Sequence, residues 1–263
     1  MKLNIVRADP AGNITIFVLD RIDDPAARLL AAKTLLAEPS LKAEQVGFVI
    51  PPDPPASVSA RPAARHWRLE MMGGEFCGNA ARSFGLYAAR ESGLRGKQDI
   101  PIGISGAAEL LPVRVDLDAS TAELEIPGPR AETFFSWEGR PFPALCFEGI
   151  THIIAEDLNP SRDLVLGLVE AVQQAGVHLP DTRPADARHS MDTCHSMDAC
   201  HSMDAVGVMF YDPVRRFMRP AVYVAATESL VFESSCGSGT AALAVYLSGK
   251  SSGSRWEIFQ PGG

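Results

Sequence analysis

Two short strings of this 263-residue chain share one design: Cys77-Gly78-Asn79-Ala80-Ala81 and Cys236-Gly237-Ser238-Gly239-Thr240-Ala241-Ala242. Each sets cysteine, glycine and small residues at the start of a helical pattern, after a strand-like run, and they lie 159 residues apart (236 − 77). A single Cys-Gly before a helix would mean little. Two in matched contexts predict a duplicated α+β unit with one site where the copies meet.

The surrounding pattern repeats the plan. Ile14, Ile16 and Val18 alternate as a strand does, as do Val46, Phe48 and Ile50, then Trp67, Leu69 and Met71. Asp24-Pro25 opens a helix carrying Leu29, Leu30, Leu35 and Leu36 that stops before Pro39. Residues 51–62 hold too much proline for a central strand and read as a loop. The helix after Cys77 runs to a C-cap near Gly93. Strand-like runs follow at 100–104, 110–117 and 122–126, and Pro127-Gly128-Pro129 marks a domain boundary. The second half gives strands near 142–148 and 150–155, a helix from Pro160 to Ala175, a polar loop, strands near 206–211, 217–225 and 229–233, and the helix after Cys236. The expected division is a domain over 1–127 and another over 128–253, with a last strand at 254–260 returning to the first.

Composition narrows the function. A formal charge of −8 disfavours an electrostatic grip on nucleic acid or anionic lipid. The start has no apolar run of signal-peptide length and no later run could span a bilayer. Five cysteines, an odd number over a long chain, do not form a disulfide framework. A cytoplasmic protein with free thiols is expected, with a small molecule as its partner, neither nucleic acid nor membrane; a homodimer stays open.

A thiol at a helix N-terminus sits in the positive end of the peptide dipoles, which favours thiolate. Gly78, Asn79, Gly237 and Ser238 would leave unsatisfied N–H groups there, an anion site fit for an amino-acid carboxylate. Two sulfurs on opposite faces of the α-carbon could then invert it: one, as thiolate, removes the α-proton while the other, as thiol, supplies a proton. The scheme requires no metal and no organic cofactor. For either cysteine alone, burial as a small packing residue is the commoner fate; their agreement outweighs it. Cys146, inside a strand pattern, is read as core.

These residues carry a family likeness. Glu75-Phe76-Cys77-Gly78-Asn79-Ala80-Ala81-Arg82 and Glu233-Ser234-Ser235-Cys236-Gly237-Ser238-Gly239-Thr240 resemble the paired motifs of the diaminopimelate epimerase superfamily, racemases and epimerases that work without pyridoxal phosphate. The likeness implies two pseudo-symmetric α+β domains, each a mostly antiparallel sheet wrapped around a central helix. The active site would occupy the interdomain cleft, with Cys77 and Cys236 as the acid–base pair. Gly12-Asn13 resembles that family's N-terminal Gly-Asn, whose asparagine contacts substrate. Departures bear on the substrate: Thr227 and Glu228 stand where a Glu-Arg pair is typical, Ile150-Thr151-His152 replaces Asn-Pro-His, and an asparagine is missing near Ala205-Val206. With Val208-Met209-Phe210-Tyr211-Asp212 between the motifs, the wording is most similar to the histidine racemases of opine-metallophore (staphylopine-type) pathways. Glu233 and Glu75 are candidates for the substrate's ammonium or imidazole, or mere helix-start acids. His152 is either a satisfied core histidine or a cleft residue, and Glu70 a strand-edge substrate contact.

One segment fits none of this. Residues 189–206 are three tandem hexapeptides on His-Ser-Met-Asp, holding half of the chain's six histidines. His189, Cys194, His195, Cys200 and His201 are of metal-ligating types but lack paired structural-site spacing, so repeat expansion in a tolerant loop is the expectation. The readings are therefore a cofactor-independent amino-acid racemase acting on histidine, with diaminopimelate epimerase or a proline-racemase-like enzyme as alternatives, and, from another class, a noncatalytic metal-binding protein working through that loop. Deleting residues 189–206 separates the classes. Racemisation, followed by chiral chromatography, should survive under the first reading, and metal uptake should vanish under the last.

Overall fold

The chain is described here from a computed structural model covering residues 2–52, 66–177, 205–250 and 255–262. The expected strands form, and they sort into two sheets. In the first half these are β1 (Ile5–Ala8), β2 (Thr15–Val18), β3 (Gln45–Ile50), β4 (Arg68–Met71), β5 (Lys97–Ile104), β6 (Leu111–Asp116) and β7 (Thr121–Leu124), hydrogen-bonded in chain order. The second sheet holds β8 (Ala131–Trp137), β9 (Arg140–Phe147), β10 (Ile150–Glu156), β11 (Ala205–Asp212), β12 (Phe217–Val224) and β13 (Ser229–Phe232), also in chain order. The helices are α1 (Pro25–Ala37), α2 (Gly78–Glu91), α3 (Arg162–Gln174) and α4 (Gly237–Lys250).

The duplication is visible in the pairing. In the first half β1 and β2 run antiparallel, α1 crosses over, β3 joins β2 in parallel, β4 returns antiparallel and α2 follows. In the second half β9 and β10, α3, β11, β12 and α4 repeat those steps, with β13 inserted before the last helix. Local chemistry starts each crossover helix. Asp24 caps α1 by accepting from Ala26 and Ala27 N–H ahead of a first-turn proline, and Ser161 caps α3 by accepting from Leu164 N–H.

Packing joins the halves through the paired helices. The sheet of the first half curves around α2, which touches β5, β6 and β7. The second sheet is covered on one face by α3, through a separate core that includes Phe142, Ile153, Leu168 and Val208. Its other face meets α4, whose Ala242, Leu243 and Leu247 share a core with Phe17, Phe84 and Leu69 of the first half. Helices α2 and α4 are in direct contact. No helix among the described residues is long and apolar enough to cross a membrane.

Two details depart from the sequence reading. The segment expected to return to the first sheet instead bridges the second: Phe259 pairs in parallel with Phe217, its N–H donating to Arg216 O (2.9 Å) and its carbonyl accepting Met218 N–H (2.8 Å). Trp256 and Ile258 pack against the core that both halves share, so their spacing reveals a strand-like piece without revealing its sheet. Strands β1 and β8 went unread, being four residues long in one case and largely exposed in the other. Residues 53–65 of the proline-rich stretch, and the hexapeptide repeat except Ala205 and Val206 in β11, lie outside the described residues.

The closeness of α2 to its sheet is testable. A Cβ on Gly85 would fall 2.6–2.9 Å from three atoms of the Val113 side chain, including its branch carbon. Alanine in a helix is worth roughly 1 kcal/mol over glycine, while overpacking costs about 1–3 kcal/mol. Gly85→Ala should therefore lower stability by up to about 2 kcal/mol in urea unfolding, against its helix propensity.

Candidate active site

Each cysteine ends a loop that leaves a strand and caps the helix that follows. Cys77 is the N-cap of α2, in extended conformation, and its Sγ accepts the Ala80 N–H at 3.4 Å. Cys236 precedes α4, and its Sγ accepts the Gly239 N–H, also at 3.4 Å and also three residues on. The carbonyls match too: Ala81 N–H donates to Cys77 O at 2.9 Å, and Thr240 N–H to Cys236 O at 3.0 Å.

The two helix starts converge. A Cβ on Gly78 would lie 3.2 Å from Ile126 Cδ1, and one on Gly237 would lie 3.3 Å from the same methyl. Such close approach explains glycine at both places. Asn79 crosses between the halves, its Nδ2 donating to Ser235 O (3.0 Å) and Ser235 Oγ (3.2 Å). Cys77 and Cys236 line a single small cavity, together with Gly78, Asn79, Gly237, Ser238, Glu75 and Glu233. Phe76, Ile150 and Val222 supply its apolar wall.

Electrostatics in this cavity work against ionised sulfur. Burial pushes the Cys77 thiol up, the Glu233 charge adds to it and Glu75 adds less, while N–H groups of Ala80 and Asn79 pull the other way. Cys236 is likewise raised well above an ordinary thiol by burial and then by Glu233, opposed mainly by the Gly239 N–H. The helix ends do favour thiolate, as the sequence suggests, but desolvation and a neighbouring carboxylate outweigh them. Glu233 itself is pushed up to about 7 by burial and by nearby Glu44, against hydrogen bonds from Gln45, Cys236 and Asn13. The Gln45 Nε2 donates to its Oε1 at 2.6 Å.

Three expected substrate contacts fall elsewhere. His152 is fully buried behind the cavity wall; its Nε2 is 2.9 Å from Ser238 Oγ and its ring stands edge-on to Phe147. Burial pushes the imidazole down to about 3, so it is a neutral support for Ser238 rather than a cleft residue. Asn13 sits one layer back, donating to Glu44 Oε2 at 2.8 Å and bonding Glu233. Glu70 is not at the cavity: its carboxylate pairs with Arg28 of α1 and with Arg68 beside it in β4, because its β4 position faces the first helix.

Sequence reasoning missed Gln45, a cavity residue, and Glu44, which accepts from Ser234 N–H (3.2 Å) and Ser234 Oγ (2.8 Å) across the halves. An adjacent Glu-Gln at a strand start carries no local signal. Their partners lie about 190 residues away, and only folding brings them together.

Comparison with known proteins agrees along the whole chain. The family described as "Histidine racemase CntK N-terminal domain" matches residues 2–180 and 170–263. A histidine racemase of Fusobacterium nucleatum (strain ATCC 23726) is 30% identical over 268 residues, covering 99% of this chain and 87% of that one. A histidine racemase of Staphylococcus aureus (strain Mu50) is 27% identical over 261 residues, covering 97% and 84%. A solved structure of a predicted epimerase from Pseudomonas aeruginosa shares the fold at a TM-score of 0.55 and 16% identity, over 95% of this chain and 82% of that one.

Glu233 makes the site's electrostatics measurable. Its carboxyl is raised in the folded state, so its contribution to stability is present below pH 4.5 and lost as pH rises toward 7. Glu233→Gln keeps an acceptor for Gln45 and removes the titration; the His152 titration is common to both proteins and cancels. The variant should gain stability relative to the parent as pH rises from 4.5 to 7, by on the order of 3 kcal/mol in urea unfolding. A pH-independent difference would contradict this environment.

Proposed function

Because this chain belongs to the histidine racemase family, and is an isomerase by that membership, we propose that it interconverts L- and D-histidine through Cys77 and Cys236. One observation carries the reading: sulfurs from matched helix starts in the two halves line one cavity. In each turnover one cysteine, as thiolate, takes the α-proton and becomes a thiol. The electron pair left on the α-carbon spreads into the carboxylate. The opposite cysteine gives its proton to the other face and is left as thiolate, so no proton is gained or lost.

The site supplies what this step demands. An amino-acid α-proton is very weakly acidic, and a thiolate whose conjugate thiol is pushed up is a correspondingly stronger base. First-turn N–H groups of α2 and α4 would receive the substrate carboxylate, where each well-aimed donor is worth roughly 3–4 kcal/mol to developing charge. Glu233, held by Gln45, would take an imidazole N–H. Gln45 Oε1, a buried acceptor at the cavity without a partner among the described residues, suits the donor-rich end of histidine.

The same residues disfavour diaminopimelate. That substrate carries a second carboxylate, and among the described residues no arginine or lysine lines the cavity. Thr227 bonds Ser229 (2.7 Å), and Glu228 points outward to Lys33 of α1 (3.2 Å). The resemblance to opine-metallophore racemases supports D-histidine as a building block for such a metallophore.

In deuterated water, purified protein should place deuterium on the α-carbon of histidine as D-histidine accumulates, and leave proline and diaminopimelate unlabelled. Cys77→Ala and Cys236→Ala should each lower inversion by about 10²- to 10⁴-fold, as loss of a positioned acid or base does. Full activity in both variants, read by chiral chromatography, would discard the mechanism.

A further inference from the structure

The segment after α4 reaches back into the active site through one side chain. Gln260 Oε1 accepts the Cys236 N–H at 2.8 Å, and its Nε2 donates to Thr240 Oγ1 at 3.0 Å. The Thr240 hydroxyl donates in turn to Cys236 O at 2.6 Å. Both polar groups of the Cys236 backbone are therefore held by a Gln260–Thr240 pair. The N–H matters most, because a residue capping a helix start has no intrahelical acceptor for it.

Gln260 is itself fixed on both sides. Phe259 is bonded to Arg216 and Met218 at the start of β12, and Gly262 N–H donates to Ser234 O at 2.7 Å. A Cβ on Gly262 would meet Ala11 O at 2.2 Å and Ser234 O at 3.0 Å, so the segment threads between the halves beside the site. The arrangement breaks the pseudo-symmetry. At the position matching Thr240 the first half has Ala81, which has no hydroxyl, and among the described residues no side chain accepts the Cys77 N–H.

We propose that Gln260 is a positioning residue for the reaction, clamping the Cys236 backbone so that its sulfur stays aimed into the shared cavity. The proposal rests on the reading of Cys236 as an acid–base group and deepens it. Thr240 is the other half of the clamp. Cys77, lacking the device, depends on its own helix cap.

The test compares Gln260→Ala, Gln260→Glu and Thr240→Val with the parent by histidine racemisation, thermal unfolding and iodoacetamide alkylation, the last resolved by peptide mass spectrometry. Gln260→Ala should lower kcat about 10- to 100-fold with KM within about threefold, as small misplacements of a reacting group do. The ratio of Cys236 to Cys77 alkylation rates should shift at least about threefold. Thr240→Val should move the same two readouts in the same direction. Gln260→Glu keeps an acceptor for the Cys236 N–H but sets a carboxylate beside the sulfur, so the pH at which Cys236 becomes alkylatable should rise while that of Cys77 stays. The proposal is overturned if Gln260→Ala keeps kcat within twofold. It is equally overturned if kcat falls only with the folded fraction and the alkylation ratio is unchanged. Cys236→Ala, assayed alongside, keeps two failures apart: its full activity would sink the acid–base reading, whereas its inactivity beside an active Gln260→Ala would sink the clamp alone.

Discussion

Two helix N-termini facing one small space repel each other, because each presents about half a unit of positive charge. In this chain α2 and α4 do so with the same isoleucine methyl against the first glycine of each. Something negative has to sit between them. Glu75 and Glu233 each precede a cysteine and line the cavity, which places two acidic side chains beside both helix ends. A bound carboxylate would add to the same compensation. The convergence therefore fixes much else: which residues must be small and why acids are buried here.

The acids that reconcile the helix ends also act on the sulfurs. Glu233 is the largest charge effect on both thiols, and its own carboxyl is shifted into the neutral range by burial. Gln45 and Asn13 hold it from the first half, so the group that raises both sulfurs is anchored across the two halves. In the proposed reaction, substrate recognition and base strength would thus be coupled in one residue. A change at Gln45 would be felt in both.

What was legible in the sequence was whatever repeats or alternates. The paired Cys-Gly strings announced two equivalent helix starts, and the structure puts both at one cavity with matched hydrogen bonds at the same offset. Period-two runs gave most strands, and Asp24-Pro25 gave a cap. Residues whose roles come from distant partners were silent: Gln45 meets Glu233 from 188 positions away, and Gln260 looks like any polar residue near a glycine. His152 was seen but misplaced, since a histidine in an apolar strand has the same signature whether it faces a ligand or backs up a serine. Glu70 erred for a related reason: alternation says that a side chain leaves the sheet, not what waits on that side.

The unequal burial of the two sulfurs has a kinetic consequence. Cys77 is partly open to solvent and Cys236 is enclosed. In the two-cysteine reaction proposed above, converting one enantiomer would leave the proton on the wrong sulfur for a second molecule of the same hand, to be reset by exchange with water. An enclosed sulfur trades protons slowly. At high concentration of a single enantiomer the empty protein's recovery, rather than the inversion itself, would then set the pace, and a trace of the mirror-image product would relieve the delay by consuming the leftover state.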